Sequence, residues 1–547
     1  MLIDGRTLPN STQLETGVAI VGGGVAGITL ALELGRSNIP VCVLEGGGFR
    51  STADSQSLYA GENSGLDYDI QWTRSRFLGG SSNCWGGWCR PFSDMDFAER
   101  DWVRNSGWPI GSETLQPHYA RTREILELAD LPFDPQFWIK NMVERDVRLI
   151  PLRDSGLWTV VSHYSPPVRL GRTRRTELEG SKSTTLLLHS TAYEIETKDG
   201  AQCATGIRVR TGPGNEILVK ARYVILAAGG IENARLLLLS DKVQKEGLGN
   251  QHDVVGRYFM DHPRIQVGRL RLNNPHAYSR FYDITYHYKN NGFAVNGMRA
   301  SATIGLTPKI QREEGLLQCH TALYASYIGE NWPGLEACKR VYSAIRRNER
   351  LDPFMLARMP SGFPAAAANL LARASRMRML VRHYVVESIL EPEPDPDSRV
   401  TLSSQTDAMG MRRVKLNWRL GELDKRTHRR SLELIREQVE VQGLGRLEWE
   451  GDPWEDTWSS RALPTYHHMG TTRMHHDPRL GVVDTDCKVH GVGNLYVAGS
   501  SVFTTGASNM PTFTIVALAA RLAEHIRHRY RISSDANLET TYCVQAA

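Results

Sequence analysis

Four histidines stand close together near the end of the chain and are suited to proton transfer. His467 and His468 precede a Gly-Thr pair, and His475 and His476 follow shortly after it. Neutral imidazole accepts a proton near pH 7, because its unperturbed pKa is about 6.5. A histidine-rich stretch can also bind zinc, but adjacent histidines point in different directions, and no cysteine or paired carboxylate stands at a familiar zinc spacing. The pattern predicts no metal site and leaves a catalytic and a structural role open for each histidine.

A glycine-rich turn near the N-terminus predicts a binding site for a dinucleotide. The apolar run 18–21 is followed by Gly22, Gly24 and Gly27, then by a helical run and a second apolar run that Glu45 closes. The first glycine permits a tight turn, the second lets the backbone approach a pyrophosphate, and the third lets helix and strand pack closely. Phosphates would lie against the free N–H groups of the helix. Glu45 would bind ribose hydroxyls, which favours FAD or NAD over NADP.

Two later stretches are expected to lie against the same ligand. The loop 76–91 contains four glycines, two serines and two tryptophans. Its aromatic rings favour a backbone-rich loop pressed against something flat or charged, although an ordinary Gly/Ser turn is the alternative. The run 223–240 repeats the plan of a buried strand, a glycine pair and a helix. The carboxyl end of such a strand faces the ligand in a doubly wound sheet, so Ala228 and Gly229 should line the cleft.

The end of the chain supplies one more strand and a long apolar helix. Pro511 stands near the predicted start of that helix, where proline is tolerated, and Ser508, Asn509 or Thr512 can cap it. The positive end of the helix dipole would then point at whatever occupies the cleft.

Composition excludes several classes of protein. The 547 residues predict at least two domains, and the net charge of +5 without a dense basic block argues against a nucleic-acid partner. Eight scattered cysteines without a C-x-x-C pair indicate neither a disulfide framework nor a zinc knuckle. The sequence contains neither a signal-peptide pattern nor an apolar run long enough for a transmembrane helix, which predicts a cytoplasmic protein.

Residues from about 265 to 460 differ in pattern from the rest of the chain. Aromatic and alternating stretches there predict an antiparallel sheet and a second domain. Within it, the stretch 339–382 is basic and helical in pattern. A solvated helix face is the default interpretation, and a surface for an acidic partner or for lipid headgroups is the alternative.

Taken together, these segments resemble the glucose–methanol–choline (GMC) family of FAD-dependent oxidoreductases over most of the chain. The resemblance rests on VGGGVAG with Glu45, LGGSSNCWGG, AAGGIENARLLLLS, VGRYFMDHP, HHMGTTRM and GSSVFTTGASNMPT, which stand in the family's order. It implies an α/β fold with a doubly wound, Rossmann-like FAD-binding domain, 14–265 and 464–530. It also implies a second α+β domain for substrate, 266–463, built on an antiparallel sheet.

The resemblance also implies roles for individual residues. The family's general base is the histidine of H-x-x-G-T, which selects His467 over His468, and its second catalytic position falls on Asn509. Alcohol oxidation needs a base for the hydroxyl proton and an acceptor, flavin N5, for the hydride. The Asn509 amide would orient the alcohol oxygen. The residues expected to bind FAD are Gly22, Gly24, Val25, Ala26, Gly27, Glu45, Gly46, Arg76, Gly79, Gly80, Ser81, Asn83, Cys84, Trp85, Ala192, Ala228, Gly229, Gly499, Ser500, Pro511 and Thr512.

Substrate, cofactor attachment and reaction type stay open at this point. Some family members attach FAD through a histidine where this chain has Cys84, so noncovalent FAD is expected, with a thioether as the chemical alternative. A sugar, polyol or sugar-like alcohol is the favoured substrate, and Gln318, His320 and Tyr324, with His468, are candidates to contact it. Oxygen or another acceptor would reoxidise the flavin. The alternatives are a lyase or photodecarboxylase on the same scaffold, or an electron-transferring subunit that docks a redox partner.

Overall fold

The structure of the protein is a computed structural model. It describes residues 1–143, 147–152, 154–166, 168–274, 278, 281–284, 294–327, 337–338, 340–341, 353–354, 356–357, 360–364, 367, 371, 381–449, 452, 454–455 and 458–535. Most of the basic stretch 339–382 therefore lies outside the described residues.

The described ranges contain both strands and helices. The strands are β1 (Leu2–Asp4), β2 (Gln13–Val21), β3 (Val41–Leu44), β4 (Glu62–Asn63), β5 (Trp88–Cys89), β6 (Leu157–Tyr164), β7 (Thr184–Leu188), β8 (Thr191–Thr197), β9 (Ala204–Gly212), β10 (Asn215–Leu226), β11 (Pro263–Leu272), β12 (Ala294–Val295), β13 (Met298–Leu306), β14 (Cys319–Tyr327), β15 (Val381–Leu390), β16 (Arg399–Thr406), β17 (Arg412–Asn417), β18 (Gly445–Trp449), β19 (Leu463–Pro464) and β20 (Leu495–Val497). The α-helices are α1 (Val25–Gly35), α2 (Ala53–Ser57), α3 (Asp94–Phe97), α4 (Tyr119–Ile125), α5 (Pro135–Asn141), α6 (Leu170–Thr173), α7 (Arg175–Gly180), α8 (Glu232–Leu239), α9 (Pro308–Glu314), α10 (Glu422–Val441) and α11 (Thr512–Asp535).

The first sheet has the parallel core that the sequence predicts. Its order is β1-β7-β3-β2-β10-β9-β8, and β20 also pairs with β10. The pairs from β1 to β10, and the pair of β10 with β20, are parallel, whereas β9 and β8 continue the sheet antiparallel. The fully buried run 18–21 of β2 lies inside this sheet, and α1 packs against α11 beside it. The predicted Rossmann-like α/β fold is confirmed.

Parallel strands bring distant parts of the chain to one edge. Gly22 follows β2, Glu45 follows β3, Ala228 follows β10 and Gly499 follows β20. The carboxyl ends of parallel strands lie at the same edge of a sheet, where ligands bind in open α/β folds. All four of these residues line one cavity.

The second sheet is antiparallel, as predicted for the middle of the chain. Its order is β18-β11-β15-β14-β13-β6-β5, with β12 beside β13 and β19 beside β11. Two of its strands, β5 and β6, come from the range 14–265, which the sequence assigns to the nucleotide-binding domain. A third, small sheet joins β16, β17 and β4. The predicted division into 14–265 with 464–530 and 266–463 stays a prediction. The antiparallel sheet takes strands from both sides of that division.

No helix in the described part of the chain combines the length and the apolar character needed to cross a membrane.

Candidate functional site

A single long cavity of about 760 Å³ joins the N-terminal glycine turn to the histidines near the end of the chain. Of the residues predicted to bind FAD, it is lined by Gly22, Gly24, Val25, Ala26, Glu45, Gly46, Arg76, Gly80, Ser81, Cys84, Trp85, Ala192, Ala228, Gly229, Gly499, Ser500, Pro511 and Thr512. His467, His468 and Tyr324 also line it. Gly27, Gly79 and Asn83 do not line it.

The three glycines of the turn differ in what surrounds them. A Cβ atom on Gly22, whose φ is +106°, would lie 2.6 Å from the Ala227 carbonyl oxygen, and one on Gly27 would lie 1.9 Å from the Gly22 carbonyl oxygen. A Cβ on Gly24 would meet nothing nearer than the Gly80 Cα at 4.0 Å. Gly22 and Gly27 are therefore required by the packing of the protein itself. Gly24 instead borders open space at the start of α1, as a pyrophosphate requires.

Glu45 is held rigidly in the cavity wall. Its Oε2 accepts a hydrogen bond from the Gly23 N–H at 2.9 Å, and its Oε1 accepts one from the Gly47 N–H at 2.8 Å. Each carboxylate oxygen has two lone pairs, so both retain an acceptor position after these bonds. This geometry suits hydroxyl donors such as those of a ribose.

The loop after Arg76 is ordered by its own side chains. Asn83 Nδ2 donates to the Leu78 and Gly80 carbonyl oxygens at 3.1 and 2.9 Å. This explains why Asn83 shapes the loop without lining the cavity. Trp85 Nε1 donates to the Val168 carbonyl at 2.9 Å, so its ring is fixed at the cavity wall.

Cys84 is the exposed cysteine of this loop. Its Sγ lies 3.5 Å from Ser75 Oγ and 3.4 Å from the Ser81 carbonyl oxygen. The thiol therefore borders the cavity with a hydroxyl beside it.

At the other end of the cavity, His467 is held by side chains and by its own backbone. Its Nδ1 lies 2.8 Å from His262 Nδ1 and 3.0 Å from Thr465 Oγ1. Its backbone N–H donates to Asp261 Oδ1 at 2.9 Å. Burial, with His262, His468 and Arg264 nearby, lowers the pKa of His467 well below its usual value. The ring is thus neutral at pH 7 and borders the cavity.

Asp261 organises the segment that carries His467. Its Oδ1 accepts from Thr465 Oγ1 and from the His467 N–H, and its Oδ2 accepts from Tyr68 Oη and from the Tyr466 N–H, at 2.6 to 2.9 Å. Tyr466 has a φ of +67°, a left-handed conformation that costs a side-chain-bearing residue energy. The carboxylate offsets that cost because both adjacent N–H groups reach it.

His468 has different surroundings from its neighbour. Its ring centroid lies 5.9 Å from those of Tyr68 and Phe259, and burial lowers its pKa to about 3. A Cβ on Gly230 would lie 2.3 Å from the His468 carbonyl oxygen. The residue is packed into the wall of the cavity.

Three predicted catalytic or substrate-contacting residues also lie outside the cavity wall. Asn509 is buried and does not line the cavity, whereas Met510, Pro511 and Thr512 directly after it do. Gln318 is buried between Asp96 and Ser508, whose Oγ donates to its Oε1 at 3.1 Å. His320 also lies outside the lining, and burial lowers its pKa to about 3.

Comparison with known proteins supports the family resemblance. Residues 394–519 match the sequence model of the GMC oxidoreductases. The chain is 25% identical to the 2-methyl-1,2-propanediol dehydrogenase of Mycolicibacterium austroafricanum, over 94% of this chain and 96% of that protein. It is also 25% identical to a C-glycoside 3-oxidase of Microbacterium trichothecenolyticum, over 63% of this chain and 54% of that protein.

Solved structures share the fold. Pyridoxine 4-oxidase from Mesorbium loti superimposes with a TM-score of 0.53 at 16% identity, covering 94% of this chain and 99% of that chain. The family match and the curated relatives are consistent with an FAD-dependent oxidoreductase that acts on CH–OH groups.

A buried ion cluster in this chain was not singled out from the sequence. Arg74 lines the cavity at 7% exposure, and its Nη2 lies 3.0 Å from Glu232 Oε1. Glu232 also contacts Arg235 Nη1 at 3.3 Å, and Arg235 Nη2 contacts Asp407 Oδ2 at 2.8 Å. The Nε and Nη1 atoms of Arg74 have no hydrogen-bond partner among the described residues. Buried N–H groups of this kind require an acceptor.

The cavity therefore fits FAD. Gly24, the N-terminus of α1 and the unpaired N–H groups of Arg74 suit an anionic pyrophosphate, and Glu45 suits a ribose. The sequence signal for Arg74 was its position just before the glycine-rich loop, in a stretch that otherwise has the composition of a surface loop.

Proposed function

We propose that this protein oxidises one CH–OH group of a polyol or sugar-like substrate, with His467 as the base that takes the hydroxyl proton. Bound FAD supplies the acceptor for the hydride that leaves the same carbon. The observation that carries the proposal is that His467 and the glycine turn line the same cavity. A nucleotide held at one end and an alcohol held at the other would therefore meet inside it.

The electrostatics of His467 keep its ring unprotonated. Burial lowers its pKa, so a lone pair is available to accept a proton at pH 7, although the ring is a weaker base than an exposed imidazole. Arg264, which also lines the cavity, adds a positive charge that favours an alkoxide oxygen over a neutral hydroxyl.

A polar side chain in the cavity wall supports a substrate with several hydroxyl groups. Tyr324 lines the cavity and donates its hydroxyl hydrogen to Glu387 Oε1 at 2.8 Å. Glu387 is 2% exposed and also accepts from Gln266 Nε2 at 2.7 Å. A fixed hydrogen-bonding wall discriminates strongly against analogues that lack the matching hydroxyl. The similarity to a propanediol dehydrogenase and to a glycoside oxidase agrees with this class.

The test is rapid anaerobic mixing of the holoenzyme with a panel of vicinal diols, sugars, glycosides and monohydric alcohols. We expect the visible flavin absorption to bleach in the dark with polyols or sugars, and more slowly with monohydric alcohols. Bleaching by monohydric alcohols alone would refute the substrate class. A substrate consumed with no bleaching would indicate a non-oxidative reaction on the same scaffold.

The base is tested with two histidine variants. His467→Ala should keep bound flavin and slow its reduction by about a hundredfold or more. His476→Ala is the matched control, because His476 is exposed and does not line the cavity. Its reduction rate should stay near that of the unmodified enzyme. An unchanged rate in His467→Ala would remove His467 from the reaction. Comparing reoxidation by oxygen with reoxidation by a quinone then identifies the electron acceptor.

A further inference from the structure

His262 lies directly behind His467 and does not line the cavity. It is fully buried, its Nδ1 is 2.8 Å from His467 Nδ1, and its Nε2 is 2.8 Å from the Ala507 carbonyl oxygen and 3.1 Å from that of Gly506. The backbones of Met260 and Met469 exchange hydrogen bonds at 2.9 and 3.0 Å. This pairing holds the two histidine-bearing segments side by side, although they are 205 positions apart.

The contacts of His262 determine where its proton lies. Carbonyl oxygens only accept hydrogen bonds, so the Nε2 that faces Gly506 and Ala507 must carry hydrogen. Burial lowers the pKa of His262, with Asp261 and, at longer range, Glu391 opposing that shift. The ring is therefore neutral and has one N–H only. Its Nδ1 then carries a lone pair, and that lone pair faces His467.

Thr465, like His262, presents a hydrogen-bond acceptor to His467 Nδ1. The Thr465 hydroxyl lies 2.7 Å from Asp261 Oδ1 and 3.1 Å from the His262 carbonyl oxygen, both of which accept hydrogen bonds. Its single hydrogen is used there, so towards His467 Nδ1 the hydroxyl oxygen can only accept. Both neighbours of His467 Nδ1 are acceptors.

We propose that His262 is a positioning residue that fixes His467 as the Nδ1–H tautomer and so leaves the Nε2 lone pair free to act as the base. This rests on the proposed function, in which His467 takes the substrate proton. A neutral histidine without such a partner divides its proton between two nitrogens, and only one tautomer can accept a proton at Nε2. When His467 becomes an imidazolium, its Nδ1–H still has its acceptors.

Two substitutions of His262 test the contacts of its two ring nitrogens separately. His262→Asn places an amide group as far from Cβ as Nδ1, so its oxygen can still accept from His467. His262→Gln extends one bond further, so its amide can donate to the Gly506 and Ala507 carbonyls but offers no acceptor at the Nδ1 position. Both variants keep a polar side chain at this position, and they differ in whether it can accept a hydrogen bond from His467 Nδ1.

Flavin reduction is measured anaerobically for both variants and for His467→Ala. We expect His262→Gln to lower the limiting reduction rate by about tenfold or more, because the wrong tautomer of the base becomes populated. The apparent dissociation constant of the substrate and the flavin content should stay within about twofold, since His262 does not line the cavity. His262→Asn should recover most of the rate. A role in packing alone would not produce this rescue or this separation of rate from binding.

The outcomes separate the inference from the function on which it rests. A lost rate in His467→Ala with an unchanged rate in His262→Gln would overturn the role of His262 and leave the base in place. Unchanged rates in both would overturn the base itself. Equal losses in the Gln and Asn variants would also overturn the assignment.

A spectroscopic measurement on the unmodified holoenzyme does not depend on how the His262 variants fold. Nitrogen-15 shifts of labelled histidine distinguish a protonated ring nitrogen from one with a lone pair, and the His467 signals are assigned by their loss in His467→Ala. We expect a protonated Nδ1 and an unprotonated Nε2 at pH 7. A protonated Nε2 would refute the proposal.

Discussion

Replacing Gly24 by alanine should weaken FAD binding and leave the fold intact. Gly24 has φ −86° and ψ −162°, a conformation open to alanine, and an added Cβ meets nothing nearer than 4.0 Å. The methyl group would thus occupy space that a pyrophosphate is expected to use. An alanine at a compatible position stabilises a protein by about 0.4–1 kcal/mol, because it restricts the unfolded chain. The free energy of unfolding of the apoprotein should therefore stay unchanged or rise slightly.

Gly27→Ala is the matched comparison within the same helix. Its Cβ would lie 1.9 Å from the Gly22 carbonyl oxygen, while ordinary contact begins near 3.4 Å, so α1 would have to move by 3.4 − 1.9, or about 1.5 Å. Overpacking of this kind costs at least about 1–3 kcal/mol. The helix propensity gained on replacing glycine is about 1 kcal/mol and does not offset it. This variant should lose stability even without FAD.

The assays are urea unfolding of the two apoproteins and titration with FAD by quenching of flavin fluorescence. We expect the dissociation constant of FAD to rise by about tenfold or more in Gly24→Ala, which corresponds to roughly 1.4 kcal/mol. An unchanged dissociation constant would refute the placement of the pyrophosphate at Gly24. A large loss of apoprotein stability in Gly24→Ala would show that the space beside it is needed by the protein itself.

Three further predictions concern the cofactor, pH and a buried ion pair. Acid precipitation should release all flavin into the supernatant, and Cys84→Ser should retain the yellow colour; flavin that stays with the pellet would instead indicate a thioether. Burial lowers the pKa of His163 to about 4. The folded protein therefore disfavours the protonated ring, and the free energy of unfolding should fall as pH drops from 6.5, the pKa in the unfolded chain, to 4. The loss is at most about 3 kcal/mol. His163→Gln should flatten the dependence of the unfolding free energy on pH over that interval. Arg100 Nη1 lies 2.8 Å from Glu391 Oε2 in a fully buried pair. Arg100→Leu should cost about 3–5 kcal/mol in urea unfolding and Arg100→Leu/Glu391→Leu distinctly less, because the single variant leaves an unpaired buried charge.

The nucleotide end of the site could be predicted from the sequence because its determinants are local. Gly22, Gly24 and Gly27 are separated by a few residues, and the strand before them and the acid after them follow in the same short segment. Each requirement, whether a positive φ, a close approach or a carboxylate at the end of a strand, is met by a residue type at a fixed spacing.

The substrate end could be predicted only in part, because alternation along a strand gives a face and not a position. Gln318, His320 and Tyr324 share the parity that points to one side of β14, yet only Tyr324 lines the cavity. His320 does not line the cavity, although its cross-strand partner Ile389 does. Periodicity along one strand therefore contains no information on which residues of a shared face the ligand reaches.

His262 could not be predicted for a related reason. Its importance comes from a contact with a residue 205 positions away, and that contact depends on the pairing of Met260 with Met469. The sequence pattern around it marks the family but gives no partner for the ring. The role of His262 becomes visible only from the hydrogen bonds of the folded chain.

The choice of a histidine rather than a carboxylate beside the base has an electrostatic consequence. Asp261 is close enough to orient the segment, but its four acceptor positions are used by Tyr68, Thr465 and the N–H groups of Tyr466 and His467. A carboxylate in contact with the imidazole would raise its pKa and favour the protonated ring. A neutral imidazole partner fixes the tautomer without adding negative charge. His467 is thereby oriented as in a His–carboxylate pair while its pKa stays low, so the base is unprotonated before the alcohol arrives.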